Sequence, residues 1–202
     1  MDKKFKAIFF AMMALCLSFG MVSCGGDDNN EPESGDGLGS LIGVDLEYSN
    51  VFGGDIDMLF NTYVVYTDFN GKSEKIKVEP GQKFNLKQQL GNITSATNTT
   101  FTLQVVAENN DKEVTQDAFS FKMTPVCKLV THYQKGSKNE LNSEKYGEIT
   151  KNYHNILKYP DNPEKVAAAR ETMRKGIQTA CGKITVEIKS GVMTQVSFSR
   201  GL

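Results

Sequence analysis

Tryptophan is absent from this chain of 202 residues, and histidine occurs only twice, as His132 and His154. Histidine is the usual general base at neutral pH and a frequent zinc ligand, so its scarcity leaves few ways to build a catalytic or metal centre. The sequence also lacks the HExxH zinc motif, the GxSxG nucleophile motif and a phosphate-binding glycine loop. We therefore assign no catalytic residue, no metal ligand and no cofactor, and whether the protein is an enzyme stays open.

Basic residues are missing from the first part of the chain, since no Lys or Arg lies between Cys24 and Gly71. Ten acidic residues lie in that interval: Asp27, Asp28, Glu31, Glu33, Asp36, Asp45, Glu47, Asp55, Asp57 and Asp68. The remainder is basic on balance, and the net charge of the whole chain is −1. Proteins that bind nucleic acid are usually basic, so a net charge this close to zero predicts no nucleic-acid partner. Two interpretations of the asymmetry stay open: an acidic face that binds cations or a basic partner, or acidic and basic parts that pack together and partly cancel.

The N-terminus has the composition of an export signal. Lys3, Lys4 and Lys6 precede an apolar stretch from Ala7 to Val22, which is 16 residues long. A membrane-spanning helix needs about 20 apolar residues, whereas a signal peptide has a core of roughly 7–15 followed by small residues. The stretch therefore favours a cleaved signal over a permanent span.

The segment Met21-Val22-Ser23-Cys24 resembles the lipobox of bacterial lipoproteins, with Met21 where Leu or Val is usual. The segment after it, from Gly25 to Glu31, is similar to the acidic tag of surface lipoproteins of the Bacteroides group. The resemblance implies that residues 1–23 are a signal peptide, that Cys24 is lipidated and that residues 24–40 form an acidic flexible tether. It also implies anchoring in the outer membrane, with the cell surface preferred and a periplasm-facing anchor as the alternative. Plain secretion after a cut near Ser23 is the other interpretation.

Alternating apolar residues predict an antiparallel β-sandwich over residues 41–133. From Ile42 to Tyr48, apolar residues alternate with polar ones, as expected of a half-buried strand. Further strands are predicted over Met58 to Thr67, Lys75 to Val78, Phe84 to Leu86, Thr99 to Glu108 and Phe119 to Met123. Asn70-Gly71 predicts a hairpin turn with positive φ at both residues. Several short strands at this spacing are typical of a sandwich.

The run from Phe101 to Asn109 resembles a late strand of fibronectin type III domains, in which an aromatic residue, two aliphatic residues, Ala and Asn alternate. The run Tyr63-Val64-Val65-Tyr66, followed by Asn70-Gly71, is similar to an earlier strand of that fold. The resemblance covers residues 41–125 and implies a fibronectin-like or immunoglobulin-like sandwich. Because the Trp usual in that core is absent, Phe101, Tyr63 and Tyr66 are expected to fill the centre.

Residues 134–202 are predicted to form a helix–helix–hairpin appendage packed on the sandwich. Apolar residues at helical spacing predict a first helix from Glu144 to Tyr159. A second helix is predicted to begin after Asn162, which can cap it, and to end at Gly182 at the latest. The last segment alternates on both sides of Ser190-Gly191 and predicts a hairpin, which either extends the sandwich or covers the helices.

Two cysteines, Cys127 and Cys181, remain in the exported chain once Cys24 is lipidated. Outside the cytoplasm a lone pair of cysteines is more often joined than free. We therefore predict a disulfide between them, with two buried thiols that do not meet as the alternative.

Candidate binding residues are concentrated between residues 132 and 159, which hold four of the seven tyrosines. The candidates are Tyr133, Tyr146, Tyr153, Tyr159, His132 and His154. Aromatic rings bury a large area at small entropic cost, so this segment can form a sugar-binding or peptide-binding face; core packing of one helix face is the alternative. Asp55 and Asp57 offer two carboxylates to a cation such as Ca²⁺, with a solvated turn as the alternative.

These patterns predict a lipid-anchored cell-envelope protein that acts without catalysis, either as a binding module for a glycan or protein or in a structural role. The alternative is an extracellular enzyme or inhibitor that acts on a polymeric substrate through Asp55, Asp57 or His132. The oligomeric state is not determined by these patterns.

Overall fold

Strands dominate the chain. The computed structural model describes residues 37–144, 147–154 and 161–199, without the side chain of Cys181. All of these residues belong to one unit, Glu31–Leu202. The strands are β1 (Leu41–Gly54), β2 (Phe60–Thr67), β3 (Ser73–Val78), β4 (Lys83–Gly91), β5 (Thr99–Asn109), β6 (Ala118–Met123), β7 (Val126–Tyr133), β8 (Gly136–Asn142), β9 (Ile149–His154), β10 (Lys183–Lys189) and β11 (Val192–Ser199). The helices are α1 (Ile56–Leu59) and α2 (Pro163–Cys181).

The first sheet is built around β1, its longest strand. The strand order is β8-β7-β1-β6-β9, and β4 also pairs with β1. β1 is antiparallel to β4 from Gly43 to Val51 and to β7 from Leu41 to Ser49, and its last three residues pair with β6. Hydrogen bonding on both edges over most of its length makes β1 the central strand of this sheet.

A β-bulge between Leu41 and Gly43 interrupts the start of β1. Ile42 was expected on the buried face with Val44, but it is 44% exposed. A bulge adds one residue to one strand of a pair and so changes the face on which a side chain lies. The expectation for Ile42 was therefore wrong, whereas Val44, Leu46 and Tyr48 are buried as predicted.

The second sheet has the order β11-β10-β5-β2-β3, with every neighbouring pair antiparallel. β10 pairs with β5, from Lys183 opposite Gln104 to Ile188 opposite Thr99. The predicted C-terminal hairpin is confirmed, and of its two predicted positions it takes the first, because it extends the sandwich.

One hydrophobic cluster joins the inner faces of the two sheets. Phe101 is fully buried in it, stacked on Tyr66 and tilted against Phe69. Tyr63 does not share this position, because residues three apart lie on opposite faces of a strand; its ring instead lies 4.2 Å from Lys75 Nζ. The expectation for the centre was therefore correct for Phe101 and Tyr66 and wrong for Tyr63.

Helix α2 packs against β5 and contributes Met173, Ile177 and Ala180 to the same buried cluster. Its start follows the prediction, since Asn162 Oδ1 accepts a hydrogen bond from Lys165 N at 3.1 Å. No helix in the described part of the chain combines the length and the apolar content needed to cross a membrane.

The predicted helix from Glu144 to Tyr159 was wrong, because Ile149–His154 is strand β9, antiparallel to β6. Residues 149 and 153 are four apart, which puts them on one face of a helix and also on one face of a strand. The strand conformation lets Tyr153 pack on Phe119 and Phe121. Residues 145–146 and 155–160 of the predicted helix lie outside the described residues.

The hairpin predicted at Asn70-Gly71 joins β2 to β3, but its loop is longer than a two-residue turn. Asp68 N donates to Lys72 O at 2.9 Å, and Gly71 N donates to Asp68 O at 3.0 Å. Of Asn70 and Gly71, Gly71 alone has a positive φ, of 81°. The loop therefore has three residues with glycine in the left-handed position, the next commonest hairpin form.

The predicted class is confirmed: the fold is mainly β, with antiparallel sheets in a sandwich-like arrangement with a curled sheet, and a C-terminal helix followed by a β-hairpin.

Candidate functional site

Three connections meet at one end of the second sheet and surround a depression of about 620 Å³. They are the β2–β3 loop, the end of the β4–β5 loop and the β10–β11 turn. The lining residues are Phe69, Asn70, Gly71, Asn98, Thr99, Thr100, Glu187, Ile188, Lys189 and Ser190. We call this the loop-end depression. Its volume lies in the range of roughly 300–1,000 Å³ usual for ligand pockets, and loops at one end of a sandwich are a frequent place for binding residues.

Hydrogen bonds between the connections hold the loop-end depression open. Ser190 N, in the β10–β11 turn, donates to Asn98 Oδ1 at 3.0 Å. Thr99 Oγ1 donates to the carbonyl oxygen of Phe69 in the β2–β3 loop. Each connection is thus hydrogen-bonded to a neighbouring connection, and these bonds fix the shape of the depression.

Gly191 brings the β10–β11 turn close to the β4–β5 loop. Its N–H donates to Thr97 O at 3.0 Å, and its φ is +74°. A Cβ at this position would lie 2.8 Å from the carbonyl carbon of Thr94. Both the positive φ and the close backbone approach require glycine here.

The lining of the depression is polar but nearly neutral. Lys189 Nζ lies 2.9 Å from Glu187 Oε1, and Thr194 Oγ1 donates to Glu187 Oε2 at 3.0 Å. These partners, Lys189 first, hold the pKa of Glu187 below its usual value. The exposed polar side chains beside this pair include Asn70 and Thr100. Amides and hydroxyls with one compensated ion pair suit an uncharged polar ligand.

Asp55 and Asp57 lie at the start of α1, and they differ in which of their atoms are hydrogen-bonded. Asp55 Oδ2 accepts from Ser120 N at 2.9 Å and from Ser120 Oγ at 3.0 Å. Asp57 is exposed, and Asn110 Nδ2 and Lys112 Nζ bond its backbone carbonyl. Within the described residues, no group of three or more His, Cys, Asp and Glu side chains is arranged to hold a metal ion.

The tyrosines of the predicted binding face are placed apart. Tyr133 is on β7 and Tyr153 on β9, with β1 and β6 between them in the sheet. Tyr153 packs on the buried rings of Phe119 and Phe121, and burial raises the pKa of its hydroxyl. Tyr146 and Tyr159 lie outside the described residues. Both described tyrosines pack against the buried hydrophobic cluster, separated from each other by two strands of the sheet.

The two histidines have different surroundings. His154 is exposed on β9 opposite Ala118. His132, on β7, is hydrogen-bonded through both ring nitrogens: Nε2 lies 2.8 Å from Asp45 Oδ2 and Nδ1 lies 2.9 Å from Ser137 Oγ. The sequence alone drew attention to His132 but not to Asp45 or Ser137, which are 87 and 5 residues away from it.

Cys127 is a free, buried thiol, and burial raises its pKa to about 12. The disulfide predicted between Cys127 and Cys181 is accordingly not formed in the structure. Cys127 lies opposite Tyr48 in the first sheet, and its backbone N–H donates a hydrogen bond to Ser143 Oγ at 2.7 Å. The predicted lipid site, Cys24, lies outside the described residues.

Comparison with known proteins found no matching family model, no similar curated protein and no similar solved structure.

Proposed function

We propose that this protein is a lipid-anchored cell-envelope module that binds a glycan or protein ligand through the loop-end depression. The observation that carries the proposal is the depression itself, which is pre-formed by hydrogen bonds between connections. A pre-formed site lowers the entropy lost when a ligand binds. The role is binding or structural, and no catalytic step is assigned to it.

The anchor in this proposal is lipid on Cys24, after removal of residues 1–23. Support comes from the basic start, the apolar stretch of 16 residues and the lipobox-like segment that ends at Cys24. One acyl chain gives only marginal membrane binding, whereas several chains anchor stably. Residues 24–40 then tether the sandwich to the outer membrane, at the cell surface or facing the periplasm.

The fibronectin-like or immunoglobulin-like relationship is part of the same proposal. The two runs that resemble fibronectin type III strands lie in β2 and β5, which are neighbours in the second sheet. β1 and β4 pair in the first sheet. Immunoglobulin-type sandwiches likewise place strands B and E in one sheet and C and F in the other, so β1, β2, β4 and β5 correspond to B, C, E and F.

The binding proposal is tested with glycan and protein arrays probed with residues 37–202. We expect a specific ligand whose binding is weakened at least tenfold by Asn70→Ala together with Thr100→Ala. The matched control is Asn85→Ala, an exposed strand asparagine that does not line the depression. A ligand that binds the control and the double variant equally well would place the contact elsewhere and contradict the proposal.

The alternative of an extracellular enzyme or inhibitor gains no support from Asp55 or Asp57. The carboxylate of Asp55 accepts two hydrogen bonds from Ser120, and Asp57 is an exposed residue. His132, the third residue of that alternative, is hydrogen-bonded to both a hydroxyl and a carboxylate, those of Ser137 and Asp45.

A further inference from the structure

We infer that Ser137, His132 and Asp45 form a nucleophilic site that attacks carboxylic esters. This activity goes beyond the proposed ligand binding and does not depend on the loop-end depression. The three residues come from neighbouring strands of the first sheet: Ser137 from β8, His132 from β7 and Asp45 from β1.

The strand register brings the three side chains together. Ser137 is directly opposite His132, while His132 is opposite Gly43, two residues before Asp45. Diagonal neighbours of this kind are within reach of long side chains. The result is a chain of two hydrogen bonds, with 2.9 Å between Ser137 Oγ and His132 Nδ1 and 2.8 Å between His132 Nε2 and Asp45 Oδ2.

Hydrogen-bond chemistry assigns a role to each nitrogen. An ionised carboxylate only accepts hydrogen bonds, so in the neutral imidazole the hydrogen resides on Nε2, facing Asp45. Nδ1 is then left with a lone pair, and Ser137 Oγ–H is the donor to it. This is the arrangement of a serine nucleophile, a general base and an orienting carboxylate, which is recognised by geometry and roles rather than by position in the chain.

Two positions beside the trio carry no side chains, which leaves room for a substrate there. Gly43 and Gly91 are opposite each other on β1 and β4, in line with His132. A Cβ at Gly91 would meet nothing within 4 Å, and one at Gly43 would lie 3.6 Å from the His132 ring. Ile42, turned outward by the bulge, is 44% exposed beside this strip and offers an apolar contact.

The side chains of His132 and Asp45 are 37% and 42% exposed, so water also reaches the site.

In the proposed reaction, Ser137 Oγ bonds to the ester carbonyl carbon while its proton passes to His132 Nδ1. The carbon–oxygen bond to the alcohol then breaks, and the alcohol leaves with that proton. A water molecule releases the acyl group as a carboxylic acid by the same steps and restores Ser137.

The test is labelling of the folded full-length protein with a fluorophosphonate, followed by peptide mapping, together with hydrolysis of p-nitrophenyl acetate. We expect an adduct on Ser137 that Ser137→Ala abolishes. His132→Ala should slow labelling roughly 100-fold, the usual contribution of a general base, and added imidazole should restore part of the rate. Asp45 is a positioning residue: Asp45→Asn should slow labelling and shift the imidazole ¹⁵N resonances of His132 from the Nε2–H form.

The matched control is Ser73→Ala, which removes an exposed strand hydroxyl that pairs across strands with Thr67 and not with a histidine. It should label as well as the unaltered protein. Absence of an adduct on Ser137 in the folded unaltered protein would overturn the inference, and this result does not require any variant to fold. Equal hydrolysis by Ser137→Ala and the unaltered protein would overturn it as well.

Discussion

Asp55 and Asp57 are two positions apart and chemically identical, yet their side chains have different surroundings. Asp55 bonds both the backbone and the hydroxyl of Ser120 on β6, whereas the side chain of Asp57 is exposed. The sequence suggested that the two carboxylates share a cation site. It does not show that the hydrogen-bond donors of Ser120 face one of them. The sequence does not reveal the hydrogen-bond partner of each polar side chain, because that partner lies on a strand distant in the chain.

Changing each aspartate to alanine separates the two roles. Asp55→Ala leaves the Ser120 donors without their acceptor and should lower the free energy of unfolding by about 1–3 kcal/mol. Asp57→Ala is the matched control and should change it by less than about 0.5 kcal/mol. Urea denaturation measures both. Equal losses in the two variants, or a rise in melting temperature with Ca²⁺ that both variants lose, would support the cation site instead.

Tyr66 supplies a test by pH. Its hydroxyl donates to Glu74 Oε2 at 2.6 Å, and this hydrogen bond, followed by burial, raises the pKa of Tyr66 from 10.0 to about 12. The folded state therefore holds the proton more tightly than the unfolded state, so this contribution to stability is complete below pH 10 and is lost as the pH rises from about 10 to about 12. Denaturation at a series of pH values should show that loss.

Tyr66→Phe should remove this part of the pH dependence. Tyr63→Phe is the control, because Tyr63 is on the same strand but on its outer face, under Lys75. If the two variants keep the same slope between pH 10 and 12 as the unaltered protein, the hydrogen bond to Glu74 does not have the assigned effect.

Cys127 is predicted to be unreactive in the native protein. Burial raises the pKa of its thiol to about 12, and alkylation requires the thiolate. Iodoacetamide at pH 8, followed by peptide mapping without reduction, should modify Cys127 only after unfolding in guanidinium. Modification of the native protein would show that the thiol is accessible, and no modification after unfolding would show a disulfide where the structure has a free thiol.

Among the elements, β9 shows how one spacing serves two structures. The spacing of Ile149 and Tyr153 fits a helix face and a strand face equally well. The strand forms because β6 provides backbone hydrogen bonds and because Tyr153 packs on the rings of Phe119 and Phe121. β8 was not predicted at all, since of its seven residues only Leu141 is a large apolar one. By contrast, α2 was predictable because its cap, its first-turn proline and its buried face all lie within one local segment.

Gly176 gives a prediction about how α2 is positioned. A Cβ at this position would overlap Tyr153 Oη, so the glycine lets the helix approach β9. Glycine to alanine inside a helix usually stabilises by about 0.5–1 kcal/mol. Here Gly176→Ala should instead destabilise by about 1–3 kcal/mol, the cost of overpacking. Thermal or urea unfolding gives the sign directly.

The double variant tests the cause. In Tyr153→Phe the clashing oxygen is gone and the nearest remaining ring atom is 3.3 Å from the added Cβ. Gly176→Ala should then cost much less, or stabilise, in the Tyr153→Phe background. The same loss in both backgrounds would mean that Tyr153 is not the reason for glycine at this position.

At the scale of the whole molecule, strands distant in the chain come together in each sheet. β10 and β11 extend the sheet of β2, β3 and β5, and their turn completes the loop-end depression. Sequence periodicity predicted the fold class, most strands and the hairpin, because each is a local pattern. It did not predict the depression or the group of Asp45, His132 and Ser137, because these arise from strand order and register across long separations.

In the proposed function, lipid on Cys24 holds this sandwich at a membrane, and lipidation of Cys24 is therefore the central claim. The most direct test is intact mass spectrometry of the protein extracted from membranes of cells that express the full chain. We expect a chain that begins at Cys24 and carries the added mass of attached lipid. A mass that retains residues 1–23, or that leaves Cys24 an unmodified thiol, would contradict the account.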